Sequence, residues 1–266
     1  MPEVPSGVSQ IAATKTEIEA ALKRYASRPS PETDLYLFVL GSGTFDGHEY
    51  KLNLKGPDLS GTELKVLLDA IPRRRQILFW GTSCSGALLK QLASKNRLLL
   101  TATRSGTERN DPRFPGFFLE SLRSADSDTD KDSRISWLEA YQSARSKTEE
   151  SFKAEGHMAT EHPVFDDDGD GEWRPLQADN KGDGLSAAAI YFEDVKPGMG
   201  REKLNPALVA LTRERDQLEA AVTELRSRKA DMKTEEYDRK LEELLIRLAR
   251  ISSDIRKLEA APVKPE

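Results

Sequence analysis

Ile77-Leu-Phe-Trp-Gly-Thr-Ser-Cys-Ser-Gly86 is the stretch that most limits what this chain can fold into. Four apolar residues, Ile77 to Trp80, give way to small ones, and Gly86-Ala-Leu-Leu-Lys90 then opens a helical pattern. Strand, tight turn and helix in that order belong to the carboxyl edge of an open α/β sheet, where such folds place their reactive groups. The turn also holds Cys84, the only cysteine of the chain, between two serines.

Two other runs have the same form. Leu35-Tyr-Leu-Phe-Val-Leu40 is continuously apolar, as a strand buried on both faces should be. It runs into the glycine-rich turn Gly41-Ser-Gly-Thr-Phe-Asp-Gly47. Arg97-Leu-Leu-Leu-Thr-Ala-Thr103 is a third such run and ends at Ser105-Gly106. Glu49 to Leu54 predicts a short exposed strand with Tyr50, Leu52 and Leu54 on one face, and Ser186 to Phe192 a last, small-residue strand. Helical spacing runs over Ile11 to Tyr25, Thr62 to Ile71, Ala87 to Ala93, Phe114 to Leu122 and Ile135 to Phe152. Strands alternating with helices of this length predict βαβ units and a mainly parallel sheet.

From Asn205 the pattern changes. Leu208, Leu211, Leu218, Val222 and Leu225 repeat at helical intervals, and Leu241, Leu244, Leu245, Leu248, Ile251, Ile255 and Leu258 do so again. Thr234, followed by Glu235 and Glu236, is placed to cap the second helix. Two long antiparallel helices with one apolar seam are expected, a coiled-coil-like hairpin. The domain organisation is therefore an α/β domain over 11–195, a linker over 196–204 around Pro197-Gly-Met-Gly200, and a helical hairpin over 205–260. The hairpin either folds back as a solvated appendage or serves docking and self-association.

Composition excludes several classes. A net charge of −5 argues against nucleic-acid binding, which needs clustered Lys and Arg. No apolar run approaches the roughly 20 residues of a membrane span, and Met1-Pro-Glu-Val-Pro-Ser-Gly7 has no export-signal pattern. One cysteine makes no internal disulfide. The expected compartment is the cytoplasm by default, although the same facts suit a domain of a longer exported parent.

Two glycine-flanked turns thus end two neighbouring strands, Gly41-Ser-Gly43 and Thr82-Ser-Cys-Ser-Gly86. The pairing resembles the caspase and legumain clan of cysteine peptidases, and most of all its bacterial legumain-like or caspase-like domains. In that clan the first turn is Gly-His-Gly or Ser-His-Gly and carries the base. The second is small-Cys-x-Ser-Gly or Ala-Cys-x-Gly and carries the nucleophile. The resemblance runs from about Thr16 to Phe192 and takes in Gly43-Thr-Phe-Asp-Gly47 and Ala102-Thr-Arg-Ser-Gly106. It implies a caspase-like three-layer α/β sandwich with a mainly parallel sheet, extended here by the C-terminal antiparallel helical hairpin.

The chain departs from the clan at the catalytic positions. Ser42 stands where the histidine base would fall. A cysteine nucleophile acts as thiolate, and serine cannot take its proton at neutral pH. The second turn has two registers. Retaining Ser85-Gly86 puts Ser83 at the nucleophile position with Cys84 one step off, whereas Cys-x-Gly spacing puts Cys84 there. His48, six residues past Ser42, is the one candidate substitute base, set against the plainer role of a solvent-facing turn residue. His157 and His162 suit capping or core roles.

Asp128-Thr-Asp-Lys-Asp-Ser-Arg-Ile-Ser-Trp-Leu-Glu139 is a separate signal. Asp128, Asp130 and Asp132 at loop positions one, three and five, with Glu139 at twelve, match an EF-hand calcium loop, apart from Ser133 where glycine belongs. The alternative is an acidic cap for the helix that follows. Asp166, Asp168 and Asp170 repeat the spacing with Gly171 in place, but Gln177 takes position twelve. Structural calcium in one of the loops is the only cofactor expected. Three functions follow. They are a catalytically degenerate peptidase-like domain that binds or scaffolds a protein or peptide, an active cysteine endopeptidase using Cys84, and an interaction module working through the hairpin.

Overall fold

The structure is a computed structural model and describes residues 10–131, 134–175, 182–191, 206–229 and 232–260. It contains two compact units, Met1–Arg174 and Pro175–Glu266. The linker expected over 196–204 lies outside the described residues.

In the first unit, helix α1 (Lys15–Ala26) starts four residues later than the apolar spacing suggests, because the Thr14 hydroxyl caps it through the Glu17 N–H. Strand β1 (Ser30–Gly41) follows, then a small antiparallel sheet of β2 (Gly43–Phe45), β3 (Tyr50–Leu52) and β4 (Leu59–Ser60). Ser60 and Glu63 form a reciprocal capping box that starts α2 (Gly61–Asp69). Strand β5 (Arg73–Thr82) leads through a 3₁₀ turn at Ser85–Ala87 into the short α3 (Leu88–Leu92), and β6 (Arg97–Thr101) follows. Helices α4 (Phe114–Ser121) and α5 (Trp137–Ala154) precede β7 (Val164–Asp166).

The main sheet has the order β1-β5-β6-β7. Its β1–β5 and β5–β6 pairs are parallel, and only β7 runs antiparallel. The protein is therefore a mixed α/β fold with a mainly parallel central sheet, and the register sets Gly41 beside Thr82. That pairing brings the two glycine-flanked turns side by side.

Strand alternation sends successive β5 side chains to opposite faces. Leu78 and Trp80 enter one core with Leu64, Leu68, Leu88 and Leu92. Phe79 enters the other, where its ring stacks on Phe118 at 4.7 Å and meets Phe114 at 6.1 Å. Trp137 closes that side against Phe38 and Tyr36.

Several expectations change. β1 is not buried on both faces, since it lies at the sheet edge and leaves Leu40 55% exposed. The strand through Tyr50 is not an exposed one. Tyr50 and Leu52 are buried, and only Lys51 faces out. α5 begins at Trp137, not Ile135, because Ser136 and Glu139 form a second capping box. Over Ser186–Ile190 the backbone is a 3₁₀ turn at Ala187–Ala189, not a strand, as three small residues offer no side chains for a pleat to pack. Phe192 lies outside the described residues.

In the second unit, α6 (Pro206–Ser227) and α7 (Thr234–Ala260) pack together through Leu218, Ile251 and Ile255, with Leu211, Leu244 and Leu248 around them. Arg247 and Glu214 form an ion pair between the two helices at 3.5 Å. Among the described residues, no helix is long and apolar enough to cross a membrane.

Candidate functional site

Three loops meet at the carboxyl ends of β1, β5 and β6. The register requires Gly43 to approach Ser83 closely. A Cβ at Gly43 would stand 2.5 Å from the Tyr50 hydroxyl and 2.7 Å from the Ser83 carbonyl oxygen. Ser83 Oγ donates to the Gly43 carbonyl at 2.9 Å and accepts from the Gly43 N–H at 3.1 Å. The hydroxyl's one proton and one of its two lone pairs are thereby used inside the fold.

A buried hydrogen-bond chain runs behind this contact. Trp80 Nε1–H donates to the Tyr50 oxygen at 3.0 Å, and the Thr82 hydroxyl donates to the Ser83 carbonyl at 3.0 Å. The Tyr50 and Thr82 hydroxyls, 2.7 Å apart, join the two bonds. Burial pushes the Tyr50 phenol up to about 12, so it stays protonated and keeps this role.

On the other side, the Ser85 and Thr103 hydroxyls lie 3.1 Å apart, and Thr103 Oγ1 accepts from the Gly86 N–H at 2.9 Å. Gly86 touches the Arg104–Ser105 backbone so closely that a Cβ would overlap it. Small hydroxyl residues beside glycines were the sequence signal for these locks. The pairing of Ser83 with Gly43, and of Ser85 with Thr103, is visible only in three dimensions.

Cys84 sits between the two locks with a left-handed backbone, φ 57° and ψ 8°. Only 2% of it is exposed, and it belongs to the core cluster with Tyr50, Trp80 and Leu88. Burial pushes the thiol up, while the Arg109 charge and the hydrogen bond from the Phe45 N–H pull it partly back. A reactive cysteine has the opposite properties, partial exposure and a lowered thiol.

Ser42 is exposed at the neighbouring turn. His48 is exposed in the loop between β2 and β3, where its backbone N–H donates to Asp46 Oδ1 at 2.9 Å. His157 faces Glu155, and His162 Nδ1 lies 2.7 Å from Glu108 Oε1. Among the described residues, no imidazole hydrogen-bonds to Ser42, Ser83 or Cys84.

Two carboxylates that sequence reasoning did not single out lie nearby, Glu108 in the loop after β6 and Glu161 in the loop between α5 and β7. Glu108 accepts the Cys84 N–H on its main-chain oxygen at 2.8 Å, and its side chain takes the Arg104 and His162 N–H groups. Glu161 is buried and accepts the Arg113 N–H at 2.8 Å. Among the described residues its second oxygen makes no hydrogen bond, and burial pushes the carboxyl up to about 7, with the Glu108 charge adding to the effect. A glutamate in Thr160-Glu161-His162-Pro163 carries no sequence sign that it will be buried.

The acidic loops are organised by their own main chain. Carboxylate oxygens of Asp128, Asp130 and Glu139 lie within 4.8 Å of one another. Glu139 Oε1 accepts from the Thr129 and Asp130 N–H groups at 2.8 and 3.2 Å, and Oε2 accepts from the Ser136 N–H at 2.9 Å. Asp132 lies outside the described residues. In the second loop Asp166 is buried at the end of β7 and accepts from the Gly169 and Gly171 N–H groups at 2.7 and 3.0 Å. Asp168 is exposed, and Asp170 turns to Arg174. Both loops gather oxygen donors of the kind a hard cation takes, Asp128, Asp130 and Glu139 in the first and Asp166 with Asp168 in the second, while Asp170 is drawn away to Arg174.

Comparison of the chain with protein-family models and with curated proteins gives no match to either.

Proposed function

We propose that the first unit is a catalytically degenerate caspase/legumain-like peptidase domain, of three-layer form, that acts by binding or scaffolding a protein or peptide. The observation that carries this is the state of the nucleophile turn. The Ser83 hydroxyl is spent on Gly43, Cys84 is 2% exposed, and no imidazole reaches either among the described residues. Cysteine catalysis needs a thiolate at the surface with a base in reach, and Ser42 supplies none. His48 as an unconventional base would have to reach a thiol that faces the core. The test is incubation of the chain with unstructured proteins and peptide libraries. No cleavage is expected, and cleavage that disappears in Cys84→Ala or Ser83→Ala would establish an active peptidase.

A second reading concerns α6 and α7, taken as an antiparallel helical hairpin that makes the partner contacts. The exposed Leu245 and Ile246 support it. Deleting the residues after Gly200 should then abolish self-association or partner binding. A structural calcium would be held in one of the acidic loops, by Asp128, Asp130 and Glu139 with Asp132 in the first, or by Asp166 and Asp168 with Asp170 in the second.

A further inference from the structure

α7 carries more apolar surface than α6 covers. Leu244, Leu245 and Ile246 are consecutive, and at about 100° per residue they cannot share one seam. Leu244 lies with Leu248, Ile251 and Ile255 in the cluster shared with α6. Leu245 and Ile246 are 41% and 45% exposed and, with Leu241 and Ala249, form an apolar strip rimmed by Asp238 and Glu242.

Charge along the helix is segregated. Glu235, Glu236, Asp238, Glu242 and Glu243 fall in its first half, and Arg247, Arg250, Arg256 and Lys257 in its second. Arg239 and Lys240 in the first half, and Asp254 and Glu259 in the second, reduce the contrast without reversing it. Asp238, Glu242, Glu243 and Arg250 are exposed and make no ion pair within the chain among the described residues. A helix with this distribution is complementary to itself reversed and repels itself in parallel.

We propose that α7 pairs antiparallel with α7 of a second copy, across a two-fold axis near Leu245 and Ile246. The proposal rests on taking α6 and α7 as an interaction element, and it names the partner. Such a contact is isologous, so the same strip serves both copies. Around that axis Leu245 of one copy meets Ile246 of the other, Ala249 meets Glu242, and Arg250 falls beside the partner's acidic pair at 242 and 243. Ala249, Ser252 and Ser253 are small enough to let a second helix approach closely.

Sedimentation velocity of the full chain should show a monomer–dimer equilibrium. Leu245→Glu with Ile246→Glu should weaken it at least tenfold while the circular dichroism spectrum stays unchanged. Ile246→Cys, next to the axis, should form a disulfide-linked dimer on mild oxidation. Ser253→Cys should not, because antiparallel pairing holds the two copies of that residue about 22 Å apart along the helix. A chain that stays monomeric at all concentrations overturns the proposal, as does a dimer indifferent to the double substitution. Cross-linking through Ser253→Cys would mean parallel pairing and overturns it too. If the chain is monomeric but deletion after Gly200 still removes partner binding, the interaction element survives and only the self-pairing fails.

Discussion

Ser83 and Gly43, forty residues apart in sequence, exchange two hydrogen bonds through one hydroxyl, which donates at 2.9 Å and accepts at 3.1 Å. This contact fastens the turn after β5 to the turn after β1. Ser83→Ala would leave a buried N–H and a buried carbonyl without partners. The expected cost is about 1–3 kcal/mol, read as a lower urea midpoint at unchanged m-value.

Cys84 should behave as a core residue. Its alkylation by iodoacetamide at pH 7.5 should be slower than that of a free cysteine and should become fast only on unfolding. A rate at or above that of the free amino acid in the native protein would point to an active thiol.

Ser42→His places an imidazole at the exposed turn. No peptidase activity should appear, because Cys84 is 2% exposed and packs in the core with Tyr50, Trp80 and Leu88. Cleavage gained by this one substitution would mean that the thiol reaches the strand-end cleft.

Glu161 should make stability depend on pH. Burial raises its folded-state carboxyl to about 7 from an ordinary 4.5. Between those values the folded state keeps a proton that the unfolded state has released, so this contribution to stability falls as pH rises from 4.5 through 7. Glu161→Gln should remove that slope and leave the protein more stable than wild type at pH 8, by on the order of 3 kcal/mol. Urea denaturation of both proteins at pH 5, 6, 7 and 8 measures the difference. Parallel curves would show that Glu161 titrates as an ordinary carboxyl.

Calcium should raise the melting temperature if the first acidic loop binds it, by the equivalent of about 2.7 kcal/mol at a hundredfold excess over Kd. Glu139→Gln lowers the starting stability, because Glu139 also caps α5. The quantity to compare is therefore the calcium-induced increment, which should vanish in the variant. An increment that persists would place the ion elsewhere.

The sequence by itself determined the local elements. Apolar runs ending in small-residue turns located β1, β5 and β6, and helical spacing located α2, α5, α6 and α7, since these signals depend on residues near one another in the chain; Thr234, expected to cap α7, is its first helical residue. That the turn at 41–43 carries a serine and no histidine was equally legible, because it is the identity of one residue. Tertiary structure decided what the turn at 82–86 is. That Ser83 would close on Gly43, that Cys84 would face the core, and that Glu161 would be buried depend on strand register and on loops brought together across 40 residues or more. β1's place at the sheet edge was hidden for the same reason, since its sequence is that of an interior strand. In the fold the turn at 82–86 joins two strand ends, through Ser83 on Gly43.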